Sequence, residues 1–212
     1  MKTSKPFLLL LFFIPPTIAG IDTELSNAYA AFQSGDNKAA QKAYNNVLQQ
    51  DQNNRDALLG LAALALRGGD RHRAQQYYQS LLQKYPQDTL AQVCLINTLD
   101  QHAPASETQL KLILAQTPQS AYIHFSLGTL YAKQGRWAAA QQAFLNALAF
   151  DKKQADYAYN LAVSSDHLNQ SRLALTYYQQ ALQLAQNQPV VNFNPQAVQK
   201  RVQTLNAFIS SE

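Results

Sequence analysis

The 212-residue sequence contains one cysteine, one methionine, one tryptophan and only seven glycines. Charge is scarce as well: Asp, Glu, Lys and Arg make up 14% of the chain, where roughly 25% is usual. The lone thiol, Cys94, excludes an internal disulfide framework and any metal site built from several cysteines, so a zinc ion would have to rest on histidines and carboxylates. The four histidines, His72, His102, His124 and His167, are scattered without a His-x-x-x-His pair or an HExxH motif, and no glycine-rich phosphate loop occurs. Cys94 sits in the apolar helical run Val93-Cys94-Leu95-Ile96 and reads as a small core residue rather than a nucleophile. In Ser164-Ser165-Asp166-His167 hydroxyls adjoin a histidine, but sequence neighbours on a helix point to different faces, which excludes a triad. Neither catalytic residues, a cofactor, a metal nor a small-molecule substrate is expected.

Long hydrophobic runs are also missing. The one strongly apolar stretch, Phe7 to Ile14, is well short of the roughly 20 residues that cross a bilayer. Lys2 and Lys5 precede it, Pro15-Pro16 break it, and Thr17-Ile18-Ala19 offers small residues for cleavage after Ala19 or Gly20. Residues 1–20 therefore read as a secretory signal, with a periplasmic or secreted mature chain; an uncleaved inner-membrane anchor is the alternative, disfavoured by the prolines. Losing Lys2 and Lys5 leaves 15 basic against 13 acidic residues, so the net charge falls from +4 to +2. A mild excess without a basic stripe argues against nucleic acid as a partner.

What the chain has in abundance is glutamine, 28 residues, together with Ala, Leu and Tyr at helical spacings. Ala40, Ala74, Ala140 and Ala174 lie 34, 66 and 34 residues apart, each followed four residues later by an aromatic: Tyr44, Tyr78, Phe144 and Tyr178. Gly35, Gly69 and Gly135 stand five residues before the first three alanines and Asn169 before the last, as a left-handed helix end requires. The double gap of 66 implies one shortened unit, giving repeats over 21–54, 55–88, 89–120, 121–154 and 155–188. The third has lost its turn glycine and carries His102-Ala103-Pro104, with Ser106 and Gln109 expected as the capping box of its second helix.

Residues 121–154, with Leu127-Gly128, Tyr131, Gly135, Ala140, Phe144 and Ala147, resemble the tetratricopeptide repeat (TPR) family. The resemblance covers about four fifths of the chain and implies an all-α, right-handed solenoid of about five helix-turn-helix repeats. Small residues such as Gly128 and Ala140 let paired helices approach, Tyr131 and Phe144 fill the space between neighbours, and Pro86 ends a second helix. A solenoid's last repeat needs a cover. After a linker containing Pro189, Asn194-Pro195 starts a helix over 194–210 that places Val198, Val202, Leu205, Phe208 and Ile209 on one face, making 189–212 linker and cap. Gln41, Gln75-Gln76, Gln141-Gln142 and Gln179-Gln180 recur on second helices, the convex layer.

The resemblance further implies that positions two, five, nine, twelve and thirteen of each first helix face a concave groove. That assigns Leu25, Tyr29 and Phe32; Leu59, Ala63, Leu66 and Arg67; Val93, Asn97 and Asp100; Tyr122, Phe125, Thr129 and Lys133; and Tyr159, Val163, Asp166 and His167. A mainly apolar and aromatic groove suits an amphipathic helix or extended segment of a protein partner. Trp137, at a helix start, is expected to pack locally. The Lys-and-Asn pair with which TPR chaperone adaptors clamp a C-terminal carboxylate is absent from every repeat. More narrowly, residues 122–137, 155–170 and Tyr177 to Leu182 are similar to TPR accessory proteins of type IV pilus (mannose-sensitive haemagglutinin type) and type II secretion systems, although those often carry a full membrane anchor. The resemblance implies a non-catalytic envelope scaffold in pilus biogenesis or secretion; a general periplasmic chaperone or outer-membrane assembly adaptor is the alternative.

Overall fold

The computed structural model describes residues 18–99, 104–188 and 190–211. Most of the expected signal segment, together with Asp100, His102 and Pro189, lies outside the described residues. Eleven α-helices follow one another among the described residues: α1 (Ile18–Ser34), α2 (Asn37–Gln50), α3 (Arg55–Arg67), α4 (Arg71–Lys84), α5 (Thr89–Thr98), α6 (Pro104–Gln116), α7 (Ala121–Lys133), α8 (Trp137–Phe150), α9 (Ala155–His167), α10 (Ser171–Ala185) and α11 (Pro195–Ser210). The fold is all-α. None of these helices is long and apolar enough to cross a membrane.

Local chemistry sets the helix ends. Asp36, Asn54, Asp70, Asp88 and Ser120 each accept a hydrogen bond from the amide three residues on, meeting a donor the first turn leaves open. The tight turns within pairs need a positive φ: Gly35 is at 83° and Asn169 at 56°, the latter tolerable because asparagine enters the left-handed region more readily than most side chains. Between these ends the small-residue stripe is buried, with Ala40, Ala74, Ala140 and Ala174 fully inaccessible and Tyr44, Tyr78, Phe144 and Tyr178 packed over them. At Gly128 a Cβ would stand 2.5 Å from the Phe144 ring, so α7 and α8 touch where any larger residue would hold them apart.

The third pair departs from expectation. Ser106 does not cap α6, which begins two residues earlier at Pro104; it lies inside the helix and is 2% exposed. It stands 32 residues after Ala74 and 34 before Ala140, in the place of their small residue, and buried Leu110 replaces the aromatic. A serine suits a helix start and a close helix contact equally well, and without the aromatic the second role is hidden in the sequence. This pair also packs the least closely of the five. A cavity of about 340 Å³, lined by Leu82, Leu95, Ile96, Leu112 and Ile113 with four glutamines around it, lies in the region of α5 and α6.

One place beyond the small residue, a polar side chain ties the second, third and fourth units each to the next. Gln75 Nε2 donates to the Thr98 carbonyl at 3.0 Å, and Gln141 Nε2 donates to Ser165 Oγ at 2.9 Å and to Gln170 Oε1 at 2.5 Å. In the third unit the place is held by Glu107, which accepts from the Tyr131 hydroxyl at 3.1 Å and pairs with Arg136 at 2.6 Å and Lys111 at 2.7 Å. Some of the convex-layer glutamines are therefore inter-repeat ties and not only solvated surface. At the C-terminal end α11 lays Val198, Val202 and Leu205 against Ala162, Ala174 and Tyr178. Phe208, expected on that face, is 51% exposed; the buried stripe runs 198, 202, 205 and passes it by.

Candidate functional site

The first helices α1, α3, α5, α7 and α9 carry the groove positions, and three environments succeed one another along them. At the N-terminal end α1 and α3 enclose an open cavity of about 450 Å³ lined by Leu25, Ser26, Tyr29, Phe32, Tyr44, Asp56, Leu59, Gly60 and Ala63. Gly60 makes it possible: the Tyr44 ring lies where a Cβ at residue 60 would be. Burial raises the Tyr44 hydroxyl pKa and keeps it neutral, a hydrogen-bonding group beside Ser26, Tyr29 and Asp56 in a mainly apolar wall. Tyr29 is 59% and Leu66 42% exposed, so both remain available. Arg67 is engaged elsewhere: its guanidinium lies 3.5 Å over the Phe32 ring and donates to the Phe32 carbonyl at 2.8 Å and Asn37 Oδ1 at 2.9 Å, locking α3 to the first pair.

In the middle, several groove positions are taken up by contacts between repeats. Asn97 Nδ2 donates to Ser126 Oγ at 3.0 Å and reaches the Tyr122 hydroxyl at 3.5 Å, which also lies 3.2 Å from Cys94 Sγ. Burial pushes the pKa of both the Cys94 thiol and the Tyr122 hydroxyl up, so neither is an ionised nucleophile near neutral pH. Phe125 is tilted against Phe144 and Tyr157, with ring centres 5.5 and 4.8 Å away. Val93, assigned to the groove, is fully buried; it belongs to the apolar core that also holds Ile96, Leu110, Ile123 and Leu127, so it is taken up by packing between helices. Thr129 is half-buried with its hydroxyl donating to the Phe125 carbonyl, and Lys133 stands exposed at the end of α7.

At the C-terminal end the chain covers its own groove positions. Tyr159 is stacked on Phe193, 4.6 Å between centres at 14°, and Asp156 accepts from the backbone N–H of Asn192 at 2.8 Å and from its side-chain amide at 2.6 Å. Asp166 is held by Arg201 of α11 at 2.6 and 2.7 Å, while His167 stacks on Trp137 at 3.6 Å; Val163 beside them is half-buried. Trp137 packs locally, as expected. Nothing in the sequence pointed to Phe193 or Asn192, because their contacts are made across 34 and 36 residues from an irregular segment. His124 is buried with a ring nitrogen 3.0 Å from the Pro118 carbonyl, and among the described residues no three His, Cys, Asp or Glu side chains converge as metal ligands would.

Comparison with known proteins bears on this architecture. Tetratricopeptide repeat models match residues 31–93, 104–155 and 125–189, together well over half of the chain. Among curated proteins no sequence matches it significantly. Among solved structures, a thermophilic TPR protein of Thermus thermophilus is similar with a TM-score of 0.72 at 20% identity, over 88% of this chain and 99% of that one. Pseudomonas aeruginosa PilF follows the fold with a TM-score of 0.62 at 15% identity, covering 90% of each chain, and MamA of Desulfovibrio magneticus at 0.55 and 16%, covering 79% and 96%. These likenesses concern the fold.

Proposed function

Because the chain belongs to the tetratricopeptide repeat family, a family of protein-interaction scaffolds, we propose that it is a non-catalytic scaffold of the bacterial cell envelope. Its concave groove holds a peptide or helix of a partner protein, and the process served is pilus biogenesis or protein secretion. The observation that carries the binding reading is the open apolar cavity between α1 and α3, where Tyr29 is left 59% exposed. Such a pocket, apolar with a few polar groups on its wall, suits the anchor side chain of a partner. The envelope location is supported by the basic start, apolar run and small residues of positions 1–20, and the process by the resemblance of residues 122–137 and 155–170 to pilus and secretion accessory proteins.

A photo-crosslinking residue placed at position 29, followed by mass spectrometry of the native envelope, tests this. The expected result is capture of one or a few pilus or secretion components by position 29 and not by Gln76 on the convex side. Crosslinks spread over many outer-membrane proteins would replace this reading with that of a general assembly adaptor. The same spectra give the mature N-terminus, expected near Gly20.

A further inference from the structure

In three of the five first helices an acid and an apolar residue three places on form a repeating pair. It reads Asp22 and Leu25 in α1, Asp56 and Leu59 in α3, and Asp156 and Tyr159 in α9. In α9 the pair is occupied by the chain itself. The non-helical segment before α11 brings Asn192 to Asp156, where its backbone and side-chain N–H groups each donate to one carboxylate oxygen, and Phe193 stacks on Tyr159. The molecule thus displays how an acid-plus-apolar pair on a first helix receives an amide followed by an aromatic ring.

In α3 the same pair stands open. The Asp56 side chain is 66% exposed, and Oδ1 accepts one bond from Arg55 at 3.2 Å; Oδ2 has no partner among the described residues. Arg55 itself is turned chiefly to Asp88, at 2.5 Å. Leu59 lines the cavity of about 450 Å³ with Tyr29, Phe32 and Tyr44. A cavity of roughly 150 Å³ already holds a benzene ring, so an aromatic side chain enters here with room for a neighbour. An amide is the donor that the Asp156 carboxylate receives in α9, and it is the matching donor for the open Asp56 oxygen.

Building on the groove-binding reading above, we propose that the partner enters as an extended segment in which an asparagine-like amide residue precedes an aromatic one, with the amide on Asp56 and the ring in the cavity between α1 and α3. The carboxylate fixes register and the cavity supplies the apolar contact.

A dye-labelled heptapeptide copying residues 188–194, titrated into the full mature chain by fluorescence anisotropy, tests the proposal. Saturable one-site binding is expected, weakened roughly tenfold or more by Asp56→Asn, with circular dichroism unchanged because Asp56 is a solvent-facing first-turn residue. A peptide with alanine for the asparagine should weaken to a similar degree, and one with alanine for the phenylalanine should not bind. Equal binding to Asp56→Asn, tighter binding of a peptide with lysine for the asparagine, or loss on Asp156→Asn alone, which would mean displacement of the linker, each overturns it. Envelope crosslinks from position 29 that persist at full strength in Asp56→Asn would sink this proposal and leave the scaffold reading standing. Absence of any crosslinked partner in the parent chain would sink the scaffold reading itself.

Discussion

At Gly128 the absence of a side chain decides whether two helices can touch. The Phe144 ring fills the space where a Cβ would sit, and Phe144 is 1% exposed, with little room to retreat. Gly128→Leu is expected to overpack the α7–α8 contact and destabilise the chain by about 1 to 3 kcal/mol, read as a lower urea midpoint; an unchanged midpoint would show that the contact is not close. Residues of this kind are legible in a sequence because their requirement is stereochemical. Gly35, Gly69, Gly135 and Asn169 announce turns since few other types accept a positive φ. Gly60 is less legible: its reason is the Tyr44 ring from the preceding repeat, which no local pattern records. The groove candidates Asn97, Tyr122 and Phe125 are ambiguous for the same reason, because one polar or aromatic residue at one helical position serves a partner or a neighbouring repeat equally well.

Between elements, the joint of α6 to α7 depends on charge where the ties made by Gln75 and Gln141 depend on amides. Bonds from Arg136 first, then from Lys111, hold the Glu107 carboxyl at about 2, well below its ordinary value. A carboxyl depressed in the folded state stabilises above its unfolded value, near 4.5, and that contribution is lost as pH falls through the folded value. Glu107→Gln should therefore be less stable than the parent at pH 7, with the gap closing between about pH 4.5 and 2; a gap that stays constant would mean that the ion pairs contribute nothing. Urea midpoints at several pH values give the comparison. Periodicity marks where Gln75, Glu107 and Gln141 stand but cannot say what they reach, which is why their role as ties was hidden behind their polarity.

Across the whole molecule, each repeat leaves an apolar face for the next, and α11 closes the series over Ala162, Ala174 and Tyr178. Removing residues 194–212 should uncover that face and increase self-association relative to the full chain in sedimentation velocity. A truncated chain that sediments as a monomer of unchanged stability would refute the covering role. The regular 34-residue period made the fold class legible, since a repeating pattern constrains every copy at once. The shortened third unit resisted reading, because two missing residues and one missing aromatic removed the marks by which the others align. Its thin packing sets the α5–α6 pair apart from the pairs on either side. That pair is expected to open more readily than α1–α2, α3–α4, α7–α8 and α9–α10, read as faster amide hydrogen exchange in α5 and α6. A ligand seated on the first two repeats should leave that exchange unchanged, whereas one long enough to reach from Tyr29 to Lys133 should slow it, part of its affinity going into the ordering.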